Sequence, residues 1–306
     1  MMITYNHEQF ISQALNSILS QRVNFDYEIV VGEDCSTDRT REILLDFQQK
    51  YPTRIRPLVR NKNMGAIKNM GATLSACRGN YVAFLEGDDY WVDEHKLQKQ
   101  IDFLDNNPAS AMCCHRVRFL DPDQKEGIHI HPSCPAGSYS IEHLLEENFV
   151  PACSAVVRRD LIGPLPAWHS QLAMGDWTVF ALVSSHGNIE LMDEVMAVYR
   201  VHQRGIWSSR SRVSRMREIS RMLEVLDKHF SFRYKNTIRP VLAQYYLDMA
   251  LLERQNGNRR DAAKYLMCSL RNGGTRFPHR ILGGLAAYSL IGSWYKLFSR
   301  TSSTGI

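Results

Sequence analysis

The sequence predicts an α/β fold, a mostly parallel sheet flanked by helices, followed by an all-helical C-terminal region. Three observations carry that reading. Short apolar runs of strand length alternate with segments whose apolar residues recur at helical spacing, as far as about residue 119. Chemically active side chains concentrate in the loops after those strands, where ligands of parallel sheets bind. The charge also changes sign along the chain: residues 1–202 carry 18 Lys and Arg against 26 Asp and Glu, whereas residues 203–306 carry 19 against 6. Two units are therefore expected, 1–205 and 206–306. With 306 residues, 44% hydrophobic and 23% charged, the chain has material for a core and is neither disordered nor a coiled coil.

Met1–Tyr5 reads as a short first strand, and Asn6 is placed to cap the helix that follows. In that helix Phe10, Ile11, Ala14, Leu15, Ile18 and Leu19 recur at helical spacing. Tyr27–Gly32 has the continuous apolar character of a buried strand. Thr37–Lys50 is helical again, with Ile43, Leu44 and Phe47 on one face. Ile55–Arg60 is a third strand, Met64–Cys77 a helix of small residues, and Tyr81–Leu85 a fourth strand. Asp93–Asn106 is a charged amphipathic helix and Ala111–Phe119 a fifth strand; Val195–Val198 is strand-like. From Ser211 the pattern turns helical: one helix ends near Phe230, another begins at Pro240, and Asn256-Gly257-Asn258 stops it before Asp261 opens a partner. The pair resembles one tetratricopeptide unit, but a solenoid needs about three repeats, so a helical hairpin is expected.

Three loops hold the chemistry. Glu33-Asp34-Cys35-Ser36-Thr37-Asp38 follows the second strand, Asn61-Lys62-Asn63-Met64-Gly65 the third, and Glu86-Gly87-Asp88-Asp89-Tyr90-Trp91 the fourth. Ser36 and Asp38 are the residue types that cap helices. Asp88 and Asp89 are harder to explain so, because Asp93 is better placed to start the next helix. Adjacent carboxylates repel and raise one another's pKa. A divalent cation removes that conflict, and Mg²⁺ is typically held by one or two carboxylates together with substrate phosphates. The residues thus imply a metal–diphosphate site. No GxGxxG or GxxxxGK[ST] follows the first strand, which excludes a dinucleotide fold or a P-loop. Seven scattered cysteines without a CxxC pair argue against a zinc ribbon and for reduced thiols in the cytoplasm. MMITYNHEQF lacks the basic and apolar regions of a signal peptide. Apart from charge, no signature of nucleic-acid binding is present. Trp91 and Trp177 read as wall or core residues, and His115, His129, His131 and His143 lack ligand spacing.

The stretches MITYNHEQFISQALNSILSQ, EIVVGEDCSTDRT, NKNMGAIKNMG, GNYVAFLEGDDYW and MGDWTVF resemble, in that order, the motifs of family 2 glycosyltransferases with a GT-A fold. The resemblance covers about residues 1–205. It implies that Thr4 and Tyr5 lie along a nucleotide, that Asp34 bonds the base (commonly uracil), and that Asp88 contacts the ribose. It further implies that Asp89 holds Mg²⁺ or Mn²⁺, that His202 in YRVHQRG ligates the metal or touches the diphosphate, and that Lys68 is a basic residue near the donor. Asp176 matches the late acid that serves as catalytic base. Two positions depart from the family pattern: Glu33 and Glu86 stand where Asp is usual. The sequence also starts inside the first strand, where relatives carry several more residues.

Such an enzyme would move a sugar from a nucleotide-diphosphate donor, UDP-linked above all, to an acceptor hydroxyl of a glycan or lipid-linked acceptor. A carboxylate base opposite the leaving group implies single displacement with inversion. Surface-polysaccharide or glycan biosynthesis is the expected setting, at the cytoplasmic face of the membrane. The alternative is a catalytically degenerate domain acting as a binding or adaptor protein through its helices, an idea prompted by Glu33 and Glu86. Ile281–Phe298 carries one charge, Lys296. Eighteen residues reach about 27 Å, marginal for a bilayer of about 30 Å. The segment suits an in-plane membrane helix or a buried terminal helix, and the basic balance around it favours anionic lipid.

Overall fold

The computed structural model describes residues 1–120, 130–202, 205, 207 and 210–273. Two compact units emerge, Met1–Tyr234 and a second beginning at Lys235. The sequence placed the boundary at 205/206; the first unit runs further because it includes a helix that the charge reversal alone assigns to the basic half.

The first unit opens with β1 (Met2–Thr4), α1 (Ile11–Leu19), β2 (Ile29–Glu33), α2 (Thr40–Lys50), β3 (Ile55–Val59) and α3 (Ala66–Ala76). The expected fourth strand is broken in two: β4 (Tyr81–Ala83) and β5 (Leu85–Glu86) belong to different sheets. A parallel sheet has the order β3-β2-β1-β5. Then come β6 (Tyr90–Trp91), α4 (Lys96–Asn106), β7 (Ser110–Leu120), β8 (Ile130–His131), β9 (Gly137–Tyr139), α5 (Ile141–Glu146), β10 (Val156–Arg158), α6 (Gly175–Ser184) and β11 (Asn188–Arg200). They complete a mixed sheet of order β4-β10-β7-β11-β6, with β8 on β7 and β9 on β11. Only β7 and β11 run parallel within it; the other pairs are antiparallel.

Met2, Leu15, Val31, Leu44 and Leu85 are fully or almost fully buried in one cluster between the parallel sheet and its helices. The apolar periodicity of α1 and α2 exists to cover that face. α3 approaches β2 closely enough that a Cβ on Gly32 would stand 2.1 Å from Thr73 Oγ1 and 2.6 Å from Asn69 Oδ1. The glycine at position 32 of β2 is thus a packing requirement.

β11 has 13 residues, of which only Val195–Val198 was legible as strand. Its first half alternates apolar and charged residues, and its register on β7 shifts around Met192–Ala197. Asp193 and Glu194 are tolerated at this irregularity, with Asp193 Oδ1 2.7 Å from Arg116 Nε. The break at Phe84 matters most for function. Glu86 pairs with β1, Tyr90 and Trp91 pair with β11, and Gly87–Asp89 is the tight turn between the two sheets, closed by Asp89 N–H on the Glu86 carbonyl at 3.2 Å.

α7 (Arg212–His229) closes the first unit; its Ser211 cap accepts from Ser214 N–H, and Trp168 meets His229 edge-on at 5.2 Å. In the second unit α8 (Lys235–Gln255) and α9 (Arg259–Gly273) form the expected hairpin, turning at Gly257, whose φ is +82°. Tyr246 stacks on Tyr265, and Ser269 Oγ donates to the Ala243 carbonyl. Pro240 does not start a helix: it lies inside α8, forgoing one backbone hydrogen bond near the N-terminal end. Residues 281–298, the expected membrane-associating helix, lie outside the described residues. No described helix is long and apolar enough to cross a membrane.

Candidate active site

The carboxyl ends of β1, β2, β3 and β5 bring three loops together. The first follows Thr4, whose side chain is buried and whose carbonyl accepts from Asp34 N–H at 3.1 Å. Asn6 was expected to cap α1. It instead adopts φ +57° and accepts from Thr37 N–H at 2.8 Å, tying the first loop to the second. Ser36 and Asp38, read as caps, work in the same bridge: Ser36 Oγ accepts from Asn6 N–H, and Asp38 accepts from Glu8 and Thr40 N–H.

Asp34 is buried, with its two oxygens accepting from Met64 N–H at 2.8 Å and Gly65 N–H at 2.9 Å. This clamps the loop after β3, where Gly65 has φ +85°. A carboxylate has four acceptor sites, so Asp34 retains capacity for a ligand N–H. Glu33 is fully buried; one oxygen takes Arg41 Nε at 2.6 Å and the other Ser36 N–H at 2.6 Å. Its extra methylene reaches an arginine of α2, so this departure from Asp is structural. Tyr5 is exposed, as is Lys68 on the first turns of α3.

The acidic loop separates two neighbouring aspartates. Asp89 is buried and points inward, accepting from Arg200 N–H at 2.8 Å through Oδ1. Asp88 faces His202, with Nε2 3.0 Å from its Oδ2, and His7, with Nε2 at 3.7 Å from the same oxygen. Asp88, rather than Asp89, thus adjoins the histidine that the resemblance links to metal. Gly87 is required just before Asp88, because a Cβ there would lie 2.6 Å from Thr4 Oγ1 and 2.9 Å from His7 Nδ1.

Arg200 and His7 carry roles that the sequence did not disclose. The Arg200 guanidinium donates to the Asp88 carbonyl and to Gln13, and it sits over the rings of Tyr90 (4.5 Å) and Phe10 (5.0 Å). It fastens β11 to α1 and to the acidic loop. Nothing in YRVHQRG or YNHEQF distinguishes these side chains from packing residues until the loops are brought together. Trp91 and Trp177 are core: their indole N–H groups donate to the Cys153 and Leu144 carbonyls. A cavity of about 380 Å³ opens between the amino ends of β2 and β4, lined by Tyr27, Cys77 and Tyr81 among others. None of the acidic-loop carboxylates lines it.

The electrostatics follow from burial. Burial, then the charges of Asp88, Asp89 and Asp176, pushes the Glu86 carboxyl well above the usual carboxylate range. Burial and the Asp88 charge do the same to Asp89, and burial raises Asp176 at the start of α6. Burial also works against ionised Asp88, but the His202 hydrogen bond and the His7 ring outweigh it and hold that carboxyl low. Asp88 Oδ1 and Asp89 Oδ2 are buried without a hydrogen-bond partner. Orphaned carboxylate oxygens in a crowd of four acids are what a hard cation satisfies. Among the described residues no group of three or more His, Cys, Asp or Glu side chains could hold a metal ion unaided. A cation at these oxygens would need its remaining ligands from elsewhere, and substrate phosphates are the usual source.

A sequence model described as "Glycosyl transferase family 2" matches residues 1–163, more than half of the chain. This chain belongs to glycosyl transferase family 2. Relatives within the family include the uncharacterized protein Rv1520 of Mycobacterium tuberculosis, 38% identical over 68% of this chain and 59% of its own length. The chain thus spans about three-fifths of that relative. Escherichia coli WfgD, described as UDP-Glc:alpha-D-GlcNAc-diphosphoundecaprenol beta-1,3-glucosyltransferase, is 26% identical over 74% of this chain and 83% of its own. Among solved structures, Staphylococcus aureus TarS in complex with UDP-GlcNAc superposes with a TM-score of 0.58 at 18% identity, covering 89% of this chain and 90% of that one. The mannosyltransferase PcManGT of Pyrobaculum calidifontis, in complex with GDP-Man and Mn²⁺, gives 0.57 at 16%, covering 97% and 78%. At such identities the likeness shows the fold alone, the GT-A arrangement of this glycosyltransferase family.

Proposed function

We propose that the protein is a metal-dependent, inverting glycosyltransferase that moves a sugar from a UDP-sugar to a hydroxyl of a glycan or lipid-linked acceptor. The observation that carries this reading is the Asp88 carboxylate: one oxygen is held by His202 and the other is buried without a partner, in a tight turn between two sheets. Asp88 would hold Mg²⁺ or Mn²⁺ through its unpartnered oxygen, His202 would orient that carboxylate through the other, and Asp89 would fix the loop through the Arg200 amide. This moves the metal from Asp89, where the resemblance put it, to Asp88. When bound, the cation supplies charge that stabilises the leaving diphosphate. Thr4 and Tyr5 line the nucleotide's path, Asp34 accepts from the base, and Lys68 offers a cation near the donor.

Asp176 acts as general base toward the attacking hydroxyl. Its burial raises its basicity toward neutrality, which suits proton abstraction. A single base on the acceptor side leads to inversion. The named E. coli relative, which forms a beta linkage from UDP-Glc, supports that stereochemistry. Its diphosphoundecaprenol acceptor supports surface-glycan synthesis at the cytoplasmic face, with a peripheral membrane association for this chain. Glu33 gives no support to a degenerate domain, since its longer side chain is consumed by Arg41.

Calorimetric titration of UDP with and without Mn²⁺, on wild type and on Asp88→Asn, tests the reading. Wild type should bind UDP at least tenfold tighter with Mn²⁺, and Asp88→Asn should lose that gain. Equal affinity with and without metal in wild type would refute it.

A further inference from the structure

We propose that His7 is a positioning residue for Asp88, and that the left-handed Asn6 turn serves to deliver it; the inference rests on the metal–diphosphate reading above. The Asp88 carboxylate lies between two imidazoles. His202 Nε2 is 3.0 Å from Oδ2 and His7 Nε2 is 3.7 Å from that same oxygen. The two rings are 6.5 Å apart and nearly perpendicular, at 87°. His202 holds Oδ2 by a hydrogen bond, and the His7 ring, beyond hydrogen-bond length at 3.7 Å, walls the same oxygen from a second direction, so the carboxylate has little room to swing and its other oxygen keeps its direction. That other oxygen, Oδ1, is the buried one without a partner. A carboxylate only accepts, so of the two ring nitrogens it is Nε2, the one nearer Asp88, that would carry the proton facing it. The opposite nitrogen, Nδ1, is buried without a partner and abuts Gly87, where any Cβ would come within 2.9 Å. The ring is therefore confined from both sides.

The backbone before His7 has the character of a built device. Asn6 holds φ +57°, a left-handed conformation that asparagine tolerates better than most residues and that its neighbours fix here. Three consecutive residues are tied to the β2–α2 loop. Asn6 N–H donates to Ser36 Oγ at 3.1 Å and its side chain accepts from Thr37 N–H. His7 N–H donates to Thr40 Oγ1 at 2.7 Å, and Glu8 N–H donates to Asp38 Oδ2 at 3.1 Å. None of these bonds caps α1, whose first turn has no side-chain cap. What the left-handed turn achieves is the placement of the next side chain against Asp88.

Removing a partner that orients a metal-binding carboxylate typically costs 10–100-fold in metal affinity. The experiment is Mn²⁺ binding in the presence of UDP, read from the EPR signal of free Mn²⁺, on wild type, His7→Ala, His7→Gln and His7→Asn, with UDP affinity in EDTA as a second readout. The expected result is Mn²⁺ affinity lowered about 10–100-fold in His7→Ala and largely restored in His7→Gln, whose amide N–H stands near the height of Nε2. UDP affinity without metal should be the same in all. His7→Asn places its amide near Nδ1, cannot reach Asp88, and should behave as His7→Ala. Mn²⁺ affinity of His7→Ala equal to wild type, or of His7→Gln no better than His7→Asn, overturns the inference. Should His7→Ala lack a melting transition, the Gln–Asn pair decides alone. A wild type that binds no Mn²⁺ with UDP would show instead that the reading of the site itself fails, and the inference falls with it.

Discussion

Asp88 and Asp89 share a charge and a loop yet have opposite surroundings. Asp89 is turned into the protein and held by a backbone amide, while Asp88 faces two imidazoles. Residue identity alone could not distribute those roles. Asp176 is a cleaner case, the acid in the first turn of α6, which burial makes more basic. Asp176→Asn should lower turnover by about 10²–10⁴-fold in a steady-state transfer assay while leaving UDP affinity within a factor of two or so. Glu33 and Arg41 form a pair in which the carboxylate is wholly buried and the arginine a third exposed. Arg41→Ala strands that charge and should destabilise by up to about 3 kcal/mol in urea unfolding, below the usual cost for a fully buried pair because water reaches the arginine side. Lys96 is fully buried, bonded to Gln100 Oε1 and over the Trp91 ring at 4.1 Å. Burial lowers its pKa from 10.5 to about 7. Between those values the unfolded chain binds the extra proton, so stability rises with pH through that window and is lost as pH falls through 7. Urea midpoints of Lys96→Met should lack that pH-dependent gain, which is on the order of a few kcal/mol in wild type.

Elements matter here through how closely they approach and where they break. The strand expected at Tyr81–Leu85 splits at Phe84, and the split sends Glu86 to the parallel sheet while Tyr90 and Trp91 join the mixed one. An apolar run looks the same whether it serves one sheet or two, so periodicity could not show this. The contact of α3 with β2 is likewise tertiary, although the small residues of α3 hinted at it. Gly32→Ala should push α3 from β2 and lower stability by about 1–3 kcal/mol, measured as a lower urea midpoint. The same shift would move Met64 and Gly65, to which Asp34 is bonded, so UDP binding should weaken as well.

At the scale of the whole molecule, the two units differ in what can be removed. Because the first compact unit ends at Tyr234, a 1–234 fragment should unfold in one cooperative transition and bind UDP with Mn²⁺. A 1–205 fragment lacks α7, whose Met216, Met222, Leu223 and Leu226 are buried, and should melt at least several degrees lower or not fold. Differential scanning calorimetry of the two fragments checks this. The sequence by itself determined the alternation of β1, β2, β3, the β4–β5 run and β7 with α1 to α4, the loops that carry Asp34, Asp88 and Asp89, and the family, because these are local patterns of apolar period and motif order. Only the tertiary structure decided that Asp89 turns inward, that Asn6 bridges loops instead of capping a helix, and that His7 and Arg200 converge on the acidic loop. These depend on contacts between residues as much as 187 apart, and no local spacing records which distant side chain a folded chain brings alongside.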